Sequence, residues 1–535
     1  MAADIVPPRP TPILHTVLDR RQTLTLGLSA AVAILGSEAA VAQSQSFPQA
    51  VLAALPEGQP FDAARVADMA RTLARRAFVP PASDLPDPLG SLTYEQYVGI
   101  RALGTALVWN GEGRAFSLEP LHRGFLFTNP VQLFVVEDGA VRRLAYERGK
   151  FDFGKLQVPA GTPGGPDFGF SGFRVFFGGA GEAAQEIAIF QGATFFRAIA
   201  RGQNFGAQAR ALMLRPAEAK GEEVPIFRAF WIERPSAGSG ALVIHALLDS
   251  ESVAGAVRFT LRPGEMTIID VETTLFPRVA LEHVGLGGMT ATYLFGPNDQ
   301  RGIDDARAAV YEAKGLQMLN GQGEWIWRPL SNPETLQISA FVDTDPRGIG
   351  LLQRDRDYAT FQDDDQRFER RPSLWIEPFG DWGPGTVQLI EVPSDSEVND
   401  NVIAYWRPKT PYPQGGEVTF AYRQFWCWKP PERPPLATVA NTRVGRGSNN
   451  RRRRFFVDFV GDSLADAGTT VEAKPALTTA PGAVHNVRVW PYPERKTLRV
   501  AFELDPGNET SCELRLVLEA AGKPLSETWL YRWTP

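Results

Sequence analysis

The sequence predicts an all-β protein, with a large N-terminal β-sandwich followed by a small β-sandwich at the C-terminus. Three observations lead there. From about Leu92 to Trp428 the apolar residues come in short or alternating runs split by Gly, Pro, Asn and Asp. Examples are Val131-Gln132-Leu133-Phe134-Val135-Val136 and Ala241-Leu242-Val243-Ile244-His245-Ala246-Leu247-Leu248. A proline cluster, Pro430-Pro431-Glu432-Arg433-Pro434-Pro435, then interrupts regular structure, because proline favours an extended backbone. Beyond it, strand-like runs return at Phe455 to Phe459, Val484 to Val489, Thr497 to Leu504, Glu513 to Leu518 and Thr528 to Trp533, which suggests a small immunoglobulin-like sandwich. The 50 glycines and 43 prolines fit many tight turns, and no repeat at a fixed period supports a propeller or a solenoid.

The elements follow in chain order. Asp19-Arg20-Arg21-Gln22 precedes an apolar run from Leu24 to Gly36 and an A-x-A cleavage site at Ala40-Val41-Ala42, which reads as a twin-arginine export signal over 1–42. The run falls short of the ~18 apolar residues of a membrane span, so a soluble periplasmic product without a transmembrane anchor is expected. Phe61 to Ala77 carries Val66, Met69, Leu73 and Phe78 at helical spacing and ends at Pro80-Pro81, predicting an amphipathic helix. The domain reading is 43–429 for the large sandwich, 430–450 for a linker and 451–535 for the small sandwich. Arg451-Arg452-Arg453-Arg454 is expected in a solvated loop before the strand at Phe455. Cys427 and Cys512 are expected as two separate hydrophobic cysteines, the alternative being a bridge between domains.

Composition excludes some functions. A 535-residue chain is too long for one ordinary core, and 44% hydrophobic with 22% charged residues is the balance of a globular protein. The net charge of -6 argues against general nucleic-acid affinity. The five histidines show no H-E-x-x-H spacing and there is no G-x-S-x-G elbow, so neither a metal site nor a serine nucleophile is expected.

Between Glu324 and Trp406 acids, arginines and aromatics are concentrated, ending in the acidic turn Ser394-Asp395-Ser396-Glu397-Val398-Asn399-Asp400-Asn401. This mixture suits sugar chemistry. Aromatic faces stack on pyranose rings, Arg and Asn bond hydroxyls, and a carboxyl group can protonate a glycosidic oxygen.

The chain resembles the osmoregulated periplasmic glucan biosynthesis proteins G and D (OpgG and OpgD, also MdoG and MdoD), over nearly the whole mature length. The resemblance runs through Tyr94-Glu95-Gln96-Tyr97, Phe168 to Arg174, Gly192-Ala193-Thr194-Phe195-Phe196-Arg197, Phe230-Trp231-Ile232-Glu233-Arg234-Pro235 and Leu247-Leu248-Asp249-Ser250. It continues through Gly323 to Leu330, Gly350 to Arg356, Arg371-Pro372-Ser373-Leu374-Trp375, Gly380-Asp381-Trp382-Gly383 and Asn399-Asp400-Asn401. The leader looks more like the D-type member. The resemblance implies a galactose-mutarotase-like sandwich with a long cleft, an immunoglobulin-like C-terminal domain, a β-1,2-glucan substrate, and inverting hydrolysis or chain transfer without a cofactor.

Inversion needs two carboxyl groups, one to protonate the leaving oxygen and one to help deprotonate the attacking water. The resemblance puts the acid at Asp400, with Glu397 placed to raise its proton affinity by like-charge repulsion. At the base the pattern departs, because the family's His-Asp-Ser-Asp/Asn-Gly reads here Tyr311-Glu312-Ala313-Lys314-Gly315. Glu312 keeps a carboxylate, but its extra methylene moves it by about 1.5 Å, and misplacement on the order of 1 Å can cost ~100-fold in rate. Phe368 stands where the family has a proton-relaying tyrosine, and phenylalanine cannot relay a proton.

Three outcomes therefore stay open: Glu312 as base with a new water path, a sugar hydroxyl as acceptor, or glucan binding alone. A further alternative is assistance to a membrane glucan synthase. Trp325, Trp327, Tyr358, Trp375 and Trp382 are candidate stacking platforms, and Arg354 and Arg356 candidate hydroxyl clamps. Trp325 and Trp327 share one strand face and Glu324, Ile326 and Arg328 the other, so one set belongs to the core.

Overall fold

The computed structural model describes residues 47–535 except 84, 160, 161, 163, 179–183, 301, 302 and 466–471. The export signal read at 1–42 lies outside the described residues.

Two large sheets face each other, as the sequence predicts. One runs in the order Phe116–Leu121, Gly172–Phe177, Gln185–Gln191, Phe195–Ala198, Gln208–Arg210, Val284–Ala291, Val402–Pro408, Pro384–Glu391 and Gln337–Thr344, with Met213–Leu214 added beside Val284–Ala291. The other is a 15-stranded sheet whose middle includes Gly315–Leu319, Gly348–Leu352, Ser373–Phe379, Val418–Cys427, Thr267–Pro277 and Val253–Arg262. Alternating side chains from the two inner faces meet in the core. Phe173 and Phe190 of the first sheet contact Phe230 and Phe259 of the second with ring centroids 5.1 Å apart in each pair.

The helix expected over Phe61 to Ala77 spans Ala64–Ala74. Asp62 Oδ1 accepts the Ala64 N–H at 2.9 Å and sets its start. Val66 and Ala70 are its buried stripe, packed on the outer face of the second sheet with Trp231, Leu247 and Ala254. A shorter helix, Phe47–Ala54, precedes it.

The 15-stranded sheet does not stop at the proline cluster. Trp325–Pro329 pairs in parallel with Thr528–Trp533, Ile326 opposite Thr528 and Trp327 opposite Trp529, and the sheet continues into Cys512–Ala520 and Lys474–Ala480. A four-stranded sheet of Thr438–Arg446, Arg453–Val460, Thr497–Asp505 and Ala483–Tyr492 covers it. Their shared core joins Phe455, Phe502, Trp529 and Tyr531 to Trp325, Trp327 and Trp375.

Two local readings change. Within 430–450, Thr438–Arg446 is a strand paired with Arg453–Val460, since Val439 and Thr442 are buried on it. Arg453 and Arg454 lie in a strand rather than a loop, and two of the four arginines pair within the chain: Arg454 with Glu503 at 2.7 Å and Arg452 with Asp505 at 3.4 Å. Cys427 and Cys512 are both free and buried.

Candidate functional site

The loop between Pro384–Glu391 and Val402–Pro408 ends in Asp400. Asn401 docks it: its Oδ1 accepts the Tyr293 N–H at 2.8 Å, and its Nδ2 donates to the Tyr293 carbonyl at 2.9 Å and the Val392 carbonyl at 3.1 Å. Farther back, Asn332 Nδ2 donates to the Ser394 carbonyl at 2.7 Å. A buried amide that satisfies backbone groups on two segments fixes a loop more firmly than a surface turn. Asp400 thereby sits beside the end of strand Val284–Ala291.

Gln208 and Thr290 are cross-strand partners on one face, and both reach the same Asp400 oxygen. Gln208 Nε2 donates to Oδ2 at 3.0 Å, Thr290 Oγ1 bonds the same atom, and Thr292 Oγ1 lies 3.5 Å from Oδ1. The half-buried Asp400 carboxyl group is therefore oriented, with neither rotation about its terminal bond nor withdrawal left free.

Glu312 lies behind the same threonine. Its N–H donates to the Thr292 carbonyl at 2.9 Å, and its Oε2 faces the Thr292 N–H at 3.4 Å. The residue is 0% exposed. Burial raises its proton affinity above the ordinary carboxyl range, while Arg371 and Arg197 nearby pull it down and Glu397 pushes it up. Glu312 is thus sealed from solvent in this structure, with its neutral form favoured.

The neighbours explain why. Tyr311 stacks on Tyr293 with centroids 5.4 Å apart and donates its hydroxyl to Asp355 Oδ2 at 2.5 Å. Burial and the adjacent Asp355 charge both hold that phenol protonated. Lys314 Nζ bonds Asp355 Oδ1 at 2.7 Å, the Ala440 carbonyl at 2.6 Å and Asn441 Oδ1 at 3.2 Å. Gly315 closes the segment because a Cβ there would stand 2.3 Å from the Trp327 ring. Residues 311–315 are thus bolted to the C-terminal strands. Phe368 is fully buried against Phe361 and under the Arg371 guanidinium.

Glu397 lies close by, but its Oε2 accepts Arg307 Nη2 at 2.6 Å.

Most of the predicted sugar contacts prove internal. Trp325, Trp327 and Trp375 belong to the core shared with the C-terminal strands, Trp325 stacked on Trp375 at 5.8 Å. The Arg354 guanidinium covers the Trp327 ring at 3.5 Å and donates to both Glu527 oxygens, at 2.7 and 3.0 Å. Arg356 donates to the Glu369 and Trp428 carbonyls at 3.1 and 2.9 Å, and burial lowers its pKa to about 10. Strand alternation turns the three tryptophans toward the second core, while Arg354 and Arg356, in the loop after Gly348–Leu352, are engaged by protein partners. Tyr358 remains available, 40% exposed with its hydroxyl on Asp364 Oδ1 at 3.1 Å. Trp382 is half-buried on Trp406 and Tyr422.

Sequence reasoning missed Gln208, Thr290, Thr292, Arg197 and Arg371 as members of this cluster. Arg197 and Arg371 stood in stretches quoted for the resemblance, while Gln208 and the two threonines carried no local signal. A separate trough of about 570 Å³ lies on the outer face of the second sheet, between the start of Ala64–Ala74, His245 and Phe379. It holds none of the residues above, and the polar cluster at Asp400 is the better candidate on chemical grounds. Among the described residues no helix is long and apolar enough to cross a membrane.

The molecule is thus a two-sheet β protein with a partly exposed, hydrogen-bonded carboxyl group at a loop end. The chain belongs to the family described as periplasmic glucan biosynthesis protein, MdoG, whose model matches residues 61–533. It is 40% identical over 504 residues to glucans biosynthesis protein G of Bradyrhizobium diazoefficiens, covering 94% of this chain and 99% of that one. It is 42% identical to the protein of that name from Rhodopseudomonas palustris strain CGA009, over 97% and 100% of the two chains. With the Vibrio cholerae El Tor protein of the same name the identity is 41%, over 89% of this chain and 87% of the other. All three carry the G name, where the leader had suggested the D type.

Proposed function

We propose that this protein is exported to the periplasm and reshapes the β-1,2-linked backbone of periplasmic glucans by chain transfer, with Asp400 as proton donor and a sugar hydroxyl as acceptor. The observation behind the reading is that Asp400 is partly exposed and oriented, whereas Glu312, at the place of the family base, is fully buried with its proton affinity raised, which argues against the family's base-assisted attack by water. Phe368 at the relay position supports the same reading. In this reaction Asp400 protonates the leaving glycosidic oxygen as the bond to C1 breaks. The acceptor hydroxyl oxygen bonds C1 from the opposite face, so the new linkage is α, and its proton leaves to groove water, from which Asp400 is reprotonated. Tyr358 and Trp382 supply aromatic faces, and the C-terminal strands from Thr438 onward form an immunoglobulin-like sandwich that buttresses the 311–315 segment through Ala440 and Asn441.

The bonds from Gln208 and Thr290 favour a second reading, in which the Asp400 oxygens serve only as acceptors, here for sugar hydroxyls in a non-catalytic glucan-binding groove. Incubation with linear β-1,2-glucan, followed by size separation and a count of reducing ends, separates the readings. Transfer changes the length distribution at a constant number of ends or with ends lost to cyclisation, hydrolysis raises the number, and binding alone changes neither.

A further inference from the structure

Glu397 was placed as an electrostatic helper of Asp400, yet its carboxylate is spent on a guanidinium that has other partners. Arg307 Nη2 donates to Glu397 Oε2 at 2.6 Å and to Asp305 Oδ2 at 2.7 Å, Nε to Asp305 Oδ1 at 3.0 Å, and Nη1 to Asp363 Oδ2 at 3.0 Å. One planar fork thus holds three carboxylates from three segments far apart in sequence. Asp363 is buried and organises its own turn, its Oδ1 accepting the Asp365 and Gln366 N–H groups at 3.0 and 2.8 Å. Gln366 in turn accepts Arg371 Nη2 at 2.9 Å. At the other end, the Glu397 and Asn399 carbonyls lie 3.4 and 3.3 Å from Thr292 Oγ1, the hydroxyl that also faces Asp400.

We infer that Arg307 is the positioning residue of the Asp400 loop, a clasp that locks 394–400 to the 363–367 turn. This inference rests on the transfer reading for its kinetic consequence but not for its structural one. An arginine suits the role because it stays charged at all working pH values and its fork serves several acceptors in one plane, which an ammonium cannot. Without the cation, Asp305, Asp363 and Glu397 repel one another across the space it fills, and the loop bearing the proton donor loses its reference to the opposite turn.

The test is amide hydrogen exchange on the full chain for wild type, Arg307→Gln, Arg307→Lys and Glu397→Gln, with turnover measured alongside. Arg307→Gln accelerates exchange roughly tenfold or more in both 394–400 and 363–367 while the strands Gln208–Arg210 and Val402–Pro408 keep their protection. Glu397→Gln accelerates 394–400 alone, because the Arg307 bond to Asp363 survives. Turnover at saturating glucan falls about tenfold or more in Arg307→Gln, with half-saturation changed less than about threefold, since a displaced donor affects the chemical step more than binding. Arg307→Lys stays defective, and full rescue by lysine would reduce Arg307 to a charge balance and overturn the clasp. Unchanged exchange in 394–400, or acceleration throughout the protein, also overturns it. If no variant or wild type transfers glucan, the function assigned to Asp400 fails while the exchange result still decides the clasp.

Discussion

Glu312 and Asp400 are held on opposite sides of Thr292, whose backbone N–H faces Glu312 Oε2 at 3.4 Å and whose hydroxyl stands 3.5 Å from Asp400 Oδ1. The two carboxyl groups, 88 positions apart in the chain, therefore belong to one cluster, but they do not face one open space. Asp400 is partly exposed and Glu312 fully buried. That asymmetry separates what each side chain can do.

Asp400→Asn removes the transferable proton while keeping shape and the contact with Thr290. It lowers the rate of glucan chain-length change by about 100-fold or more, the usual contribution of a general acid, and leaves glucan affinity within a few-fold. Size separation of products and calorimetric titration with a β-1,2-glucan oligosaccharide measure the two effects.

Glu312→Gln behaves differently. The folded protein holds the Glu312 proton more tightly than the unfolded chain does, so the stability this group contributes is complete below the ordinary carboxyl pKa near 4.3 and is lost as pH rises through the higher folded value. Glutamine titrates in neither state. The melting temperature of the variant relative to wild type should accordingly rise between acid and neutral pH, and chain transfer should persist. Loss of transfer at unchanged stability would instead make Glu312 a working base.

Lys314→Met leaves Asp355 with its Tyr311 bond but cuts the tie to Ala440 and Asn441 on the C-terminal strand. Because both partners are mostly buried, the loss should be on the order of 3 kcal/mol in a denaturant titration. Burial lowers the Lys314 pKa and Asp355 raises it back, so the pair is worth less than its Coulomb attraction alone.

The aromatic candidates divide in the same way. Trp375→Ala opens a cavity in the shared core and should destabilise by about 3–5 kcal/mol. Tyr358→Ala should leave the melting temperature nearly unchanged and weaken glucan binding by about threefold to tenfold, the scale of one lost ring contact.

The fold was legible because its signals are local. Alternation gave Thr528–Trp533 to the residue, and apolar spacing gave the helix at Ala64–Ala74 within a few positions. The strand Thr438–Arg446 was hidden by the prolines just before it and by a bulge between Val439 and Asn441, which puts the buried Val439 and Thr442 three positions apart and breaks the alternation. The site was legible only in part. Asp400 stands in a motif, but its partners Gln208, Thr290 and Thr292 come from strands that only the folded sheet makes adjacent. The sequence also could not tell that Trp327 and Arg354 serve a core, because the parallel pairing of Trp325–Pro329 with Thr528–Trp533 joins segments some 200 positions apart.

The central claim, that Asp400 drives transfer to a sugar hydroxyl and not to water, is tested most directly with a β-1,2-linked oligosaccharide acceptor tagged at its reducing end, mixed with untagged linear glucan. The tag should move into longer chains in the presence of the wild-type protein and stay at its starting length with Asp400→Asn. A tag that never lengthens while shorter untagged glucans accumulate would contradict the account.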